Sequence, residues 1–194
     1  LNGYISLHPE NEKDIFAFIE NYFISKCVHY FIDNDRKSEH VKRIRWNKNM
    51  ALPFRHSDLY NTQKEKNISK KWLHLPLDKA KFIVKGLIDT NGCKNNEITF
   101  HNTSRILVEG LRYLLLRMGI LSSGYIRHET HVAKSDSTIT KQKISYGLHI
   151  PATEDIITLL DLPKTETGSF HTFFKYENLL FSRIKTIDIC EYHG

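Results

Sequence analysis

Cysteine is scarce and badly spaced for chemistry: Cys27, Cys93 and Cys190 are three in number with no CxxC pair, which excludes a disulfide framework and a zinc ribbon. The 11 histidines form no HxxxH or HxH pair beside cysteine or acidic partners, so zinc chemistry has no ligand set either. No apolar run approaches the roughly 18 to 20 residues that a bilayer-spanning helix needs, and no basic, apolar, small-residue series opens the chain. The sequence therefore reads as soluble and intracellular, cytoplasmic or nuclear according to its host, with no membrane partner. A GxxxxGK loop followed by Ser or Thr is absent, as is GxSxG, which removes the usual phosphate-loop and serine-hydrolase readings. Alanine is rare and no methionine opens the chain, while Lys, Asn, Ile, Phe and Tyr abound. That balance suggests a fragment of a longer product from an A/T-rich genome.

What is present is enough apolar matter for a core and an excess of positive charge. The 194 residues are 40% hydrophobic and 26% charged, with a net charge of +6, so an acidic partner such as nucleic acid is expected. The excess is local. Between positions 41 and 71 stand nine Lys or Arg (42, 43, 45, 48, 55, 64, 66, 70, 71) against Asp58 and Glu65, a surplus of +7.

Periodicity orders the chain. Residues 4–7 read as a strand, followed by a helix with a core-facing stripe of Ile15, Phe18, Ile19, Tyr22 and Phe23. Strands at 27–33 and 41–47 flank the polar turn DNDRKSEH, a weak helix over 50–60 is interrupted at Pro53, and 63–71 is a basic connector. After Pro76, Ala80, Ile83, Val84, Leu87 and Ile88 make a helical stripe ending before Gly92. A strand at 97–101, a helix capped by Thr103 or Ser104 and stopped at Gly119, strands over 122–132 and 139–150, and a helix from Thr153 to about Asp161 follow.

At an offset of 93, NGYISLH (2–8) lies over NNEITFH (95–101), each preceding a helix and then two strands. Such a repeat predicts an α/β (α+β) fold of two half-domains related by a pseudo-two-fold, each donating an antiparallel sheet to one surface. The same offset places the counterpart of the VKGLIDTNG helix upstream of Leu1, so the first half is expected to lack its opening helix.

VKGLIDTNG (84–92) resembles the LAGLIDADG motif of homing endonucleases, matching GLID and the final glycine. KNIS within KNISKKWL (66–73) looks like the KxIP block of intein-borne, DOD-type members, and ITFHNTS with LRYLLLRMGI looks like their post-motif strand and helix. FFKYENLLFSRIKTIDICEYHG (173–194) resembles the returning strand of an intein splicing domain, and its RIKTIDI also reads as an ordinary amphipathic strand. The implied organisation is a first half-domain at 1–74, a second at 75–165, and the start of the splicing-domain strand at 166–194, the whole truncated at both ends. The implied activity is sequence-specific binding of double-stranded DNA and metal-dependent phosphodiester hydrolysis. The implied partners are a DNA target site together with exteins and an intein splicing domain.

The resemblance assigns roles by position. Ile83, Gly86 and Leu87 are implied to face a second motif helix, with Gly86 where backbones approach. The eighth motif residue is an acid in the family and holds Mg²⁺ with its counterpart; here it is Asn91, a neutral oxygen that weakens cation affinity and with it cleavage. Asp89, at motif position six, reads first as a helix-end residue and second as a replacement ligand. Lys66 matches the lysine implied to lie near the scissile phosphate, while Ser69 replaces the proline, predicting a less rigid loop. On VKRIRWN, alternation puts Arg43 and Arg45 on one face and Lys42, Ile44 and Trp46 on the other. Arg43 and Arg45 are expected to read bases, with Lys42 beside them and Arg127, Lys141 and Lys143 on the equivalent strands. The alternatives are a catalytically degenerate DNA-binding or structural remnant, and an RNA-splicing maturase of the same fold.

Overall fold

Alternating apolar and polar residues build the first sheet. In the computed structural model, which describes residues 3–35, 38–47, 52, 54–93, 98–128, 130–133, 139–162, 173–177, 179–184 and 186–188, the chain divides into two compact units, Leu1–Arg55 and His56–Gly194. The first holds β1 (Gly3–Leu7), α1 (Lys13–Ser25), β2 (Tyr30–Asp35) and β3 (Ser38–Trp46). Its strands pair antiparallel in the order β1-β3-β2. Ile44 and Leu7 point to the helix side and join Phe23, Val28 and Trp46 in a small core.

The expected α1 stripe is rotated. Phe23 is buried and Phe16, Ile19 and Tyr22 pack partly against the core, whereas Phe18 is 69% exposed. The inward arc thus runs through 16, 19, 22 and 23; a 3.6-residue period fixes the width of an apolar stripe but not which edge of it meets the sheet.

The second unit holds α2 (His56–Leu59), α3 (Lys70–Leu73), α4 (Leu77–Asn91), β4 (Gly92–Cys93), β5 (Ile98–Asn102), α5 (Arg105–Arg117), β6 (Ser123–Arg127), β7 (Thr130–Ala133), β8 (Ile139–Gln142), β9 (Ser145–Ile150), α6 (Glu154–Leu159), β10 (Phe173–Tyr176) and β11 (Leu179–Ser182). Its main sheet runs β4-β5-β9-β6. Ala80, Val84 and Ile88 of α4 meet Leu111, Leu114 and Leu115 of α5, Phe100 of β5 and Leu148 of β9 in one core. Ser104 caps α5 by accepting from the Leu107 N–H, and Gly119, at φ 76°, turns the chain after it.

The repeat is visible in topology. β1-β3-β2 in one unit and β5-β9-β6 in the other have the same sequence of strand, helix and two returning strands. β1 and β5 are each 5 residues, and α1 and α5 each 13.

Several boundaries differ from expectation. The strands expected over 122–132 and 139–150 each break in two: β6 and β9 stay in the sheet, while β7 and β8 form a separate ribbon. Of the helix expected over 50–60, only His56–Leu59 is helical among the described residues. Residues 56–74 fall in the second unit, because Ile68, Trp72 and Leu73 pack into its core. The tail forms the β10-β11 hairpin around Glu177, at φ 52°, and residues 183, 184 and 186–188 of the expected RIKTIDI strand are unpaired coil. The rest of that tail lies outside the described residues.

Candidate nucleic-acid interface

Each of the two main sheets buries one face under its helix and leaves the other open. In the first unit the period of two sends Ile44 and Trp46 inward and Arg43 and Arg45 outward, beside Tyr4 and Ser6 of β1 and Phe31, Asp33 and Asp35 of β2. The arginines are engaged. Arg43 Nε donates to Asp35 Oδ2 at 2.7 Å and its Nη2 lies 2.6 Å from the same oxygen, with the guanidinium 5.3 Å from the Tyr4 ring centre. Arg45 Nη1 donates to Asp33 Oδ2 at 2.9 Å. A shallow cavity of about 250 Å³ opens among Tyr4, Asp33, Asn34, Arg43 and Arg45. Lys42 lies on the opposite side and donates to Asn34 Oδ1 at 2.5 Å.

The open face of the second sheet carries no acidic ladder. His101, Tyr125 and His149 line up across β5, β6 and β9, with the Tyr125 hydroxyl 2.6 Å from His101 Nε2 and the His149 ring stacked 4.6 Å from that of Tyr125. A Cβ on Gly147 would lie 2.4 Å from the Tyr125 ring, so glycine lets that ring lie across β9. Burial, then the charge of Arg127, then His149, holds the His101 imidazole below its usual pKa. Arg127 and Lys143 are exposed; the side chains of Lys141 and Asn91 lie outside the described residues. No motif marks the histidine and tyrosine cluster in the sequence, although outward positions at 99, 101, 123, 125, 147 and 149 follow from strand alternation once the pairing is known.

The KNIS loop is tied at several points. Ile68 is buried in the second core, the Ser104 hydroxyl donates to the Lys66 carbonyl at 2.6 Å, and the N–H groups of Asn67 and Ser69 donate to Leu59 and Asp58 carbonyls. Ser69 sits at φ −62°, the value a proline would impose, so the loop holds that path without one. Lys66 is exposed. Of the other cations in the basic segment, Lys71 is paired with the buried Asp58 at 2.6 Å.

On α4, Gly86 is exposed and a Cβ there meets nothing within 4 Å, next to Phe82 at 66% exposure; Ile83 and Leu87 pack partly against the core. Lys85, in the motif's alanine place, reaches Asp89 Oδ2 at 3.4 Å and bonds the Asp161 carbonyl. The Asp89 carboxylate therefore faces an ammonium. No group of three His, Cys, Asp or Glu able to hold a metal occurs among the described residues, and position 91 is an amide. Of the residues that the resemblance assigns to Mg²⁺, Asp89 is ion-paired and position 91 supplies only a neutral oxygen.

Residues 79–160 match the family model of the LAGLIDADG-like domain. That segment is similar to LAGLIDADG-like domains. It runs from the first turn of α4 through the sheet to the end of α6, and its motif helix is the one that supplies Ala80, Val84 and Ile88 to the core. Among solved structures, a mesophilic variant of the homing endonuclease I-DmoI is similar at 16% identity and a TM-score of 0.56, over 82% of this chain and 78% of that one. I-DmoI in complex with DNA and calcium is similar at 14% identity and a TM-score of 0.55, over 81% and 71%. The fold is thus that of the LAGLIDADG homing endonucleases. A 65-residue stretch is 42% identical to part of the ATP-dependent DNA helicase Hel308 of Methanocaldococcus jannaschii, which is 32% of this chain and 5% of that protein's length.

Proposed function

We propose that this chain is a sequence-selective, double-stranded DNA-binding domain of the LAGLIDADG homing endonucleases, carried as an intein-type insertion and impaired in cleavage. The observation that carries it is a pair of sheets that share a three-strand order, β1-β3-β2 and β5-β9-β6, each with one face under a helix and the other open, one bearing Arg43 and Arg45 and the other Arg127. A strand ribbon of this kind enters a major groove, where arginine forks meet guanine edges. The similar I-DmoI structures hold DNA with calcium or manganese, which supports duplex DNA as the partner.

Two features support the finer reading. The helicase match covers 5% of that protein, and this chain has no phosphate loop. A short segment shared with a far longer protein supports an insertion common to two host frames. Asn91 in the place of a carboxylate, and Asp89 beside Lys85, support loss of cutting rather than loss of binding. The open Gly86 and Phe82 face of α4 is proposed to receive another helix, and Lys141 with the exposed Lys66 and Lys143 to meet phosphates.

Gel retardation on a fixed duplex and a duplex with a randomised core tests binding. Retention should weaken with salt at a slope of about −0.9 per phosphate contacted, and selection should enrich a base pattern. No retention of any duplex at low salt overturns the proposal.

A further inference from the structure

We infer that Asp33 and Asp35 are positioning residues for base reading: they hold the Arg45 and Arg43 guanidinium groups as pre-set forks and offset the charge of those two arginines, so that the pair contributes sequence discrimination rather than general phosphate affinity. The inference rests on the DNA-binding reading above and says how that surface works.

The geometry assigns each acid one arginine. Asp35 takes the Nε and Nη2 edge of Arg43 on a single oxygen, at 2.7 and 2.6 Å, while the Tyr4 ring lies against the guanidinium at 5.3 Å. The Nη1 and Nη2 end of the fork remains as a two-donor edge. Asp33 takes only Nη1 of Arg45, at 2.9 Å, and leaves the Nε and Nη2 edge. An arginine has five N–H donors in a rigid plane, so an acid on one edge orients the other without consuming it. Guanine O6 and N7 need such a pre-oriented edge; a phosphate accepts any cation that reaches it.

The arginines and acids alternate with the same register. Ser6, Arg43 and Asp33 stand across the sheet from one another, as do Tyr4, Arg45 and Phe31, so each arginine leans diagonally to an acid on β2. Among the described residues two positive and two negative groups share this face, and their charges offset one another. Both acids also stand where an unguided phosphate would be repelled, which disfavours the backbone contact and leaves base edges as the partner that satisfies the arginines. Pairs this exposed, 46% and 42% for Arg45 and Asp33, contribute little to stability, so a purely structural role for Asp33 is weakly motivated.

The test uses the full chain and its Asp35→Asn, Asp33→Asn, Arg43→Ala and Arg43→Lys variants, each selected on a duplex library with a randomised core and titrated on a fixed random duplex at two salt concentrations. Arg43→Ala should flatten preference at one or two positions, by about 5- to 150-fold for a bidentate contact. Asp35→Asn should flatten the same positions while tightening binding to the random duplex and steepening its salt slope by up to about one. Arg43→Lys should keep random-duplex binding and lose the preference. Asp33→Asn should act likewise at a neighbouring position, which guards against one variant failing to fold. If both Asp→Asn variants tighten binding uniformly and leave the selected pattern intact, the acids do not position the arginines and the inference is wrong. If the unaltered chain retains no duplex, the DNA-binding reading itself falls, and this inference with it.

Discussion

Single residues decide how the two open faces differ. In the second sheet the place of the acids is taken by an imidazole and a phenol, and Gly147 provides the room. Gly147→Ala should push the Tyr125 ring off β9, at about 1 to 3 kcal/mol for overpacking, and the His101 resonance should then titrate nearer its ordinary value by NMR. The pH dependence follows in sign. A histidine whose folded pKa lies below its unfolded one binds fewer protons when folded, so folding stability is complete above the unfolded pKa and is lost as pH falls from there through the folded pKa. Melting curves between pH 7 and 5 should show that loss, and His101→Gln should reduce it; an unchanged acid-side slope in His101→Gln would assign the loss to other groups. Arg43 and Arg45 were legible as an outward pair from alternation alone. Their acids were not, because Asp33 and Asp35 read locally as turn residues, and only the β2-β3 register brings them alongside.

At the level of elements, helices with full apolar stripes were the most legible. α4 and α5 carry enough inward positions that helix length and stop signals fix their bounds, and Pro76, Ser104 and Gly119 mark them in the sequence. The α1 stripe has the same period but fewer buried members, which gives a direct comparison. Leu111→Ala in α5 empties a fully buried site and should cost about 2 to 5 kcal/mol, whereas Phe18→Ala in α1 should stay within about 0.5 kcal/mol. Urea unfolding of both variants checks it, and a large loss from Phe18→Ala would mean that its ring is covered. The breaks between β6 and β7 and between β8 and β9 were not legible, since alternation continues unchanged when a strand exchanges one partner for another. The KNIS loop shows the converse: its missing proline predicted looseness, yet Ile68 and the Ser104 bond to the Lys66 carbonyl anchor it. Ile68→Ala should weaken this anchor, lowering stability by roughly 2 to 5 kcal/mol and raising amide exchange across 66–69.

For the whole molecule, the 93-residue repeat carried the fold, because two units with one strand order follow from duplicated strand, helix and strand-pair patterns. Charge was the weaker guide. The surplus of +7 between 41 and 71 counted Arg43, Arg45 and Lys71 as available, and the structure pairs all three with Asp35, Asp33 and Asp58. On the proposed reading binding is separated from cutting: the sheet faces carry Arg43, Arg45 and Arg127, while the motif helix offers an amide at 91 and an ion-paired carboxylate at 89. The most direct measurement places the duplex selected by this chain in a supercoiled plasmid and records, in the same tubes, DNase footprinting and plasmid topology with Mg²⁺ or Mn²⁺. The account predicts a protected footprint on DNA that is not linearised; a linear product, or the absence of any footprint at low salt, contradicts it.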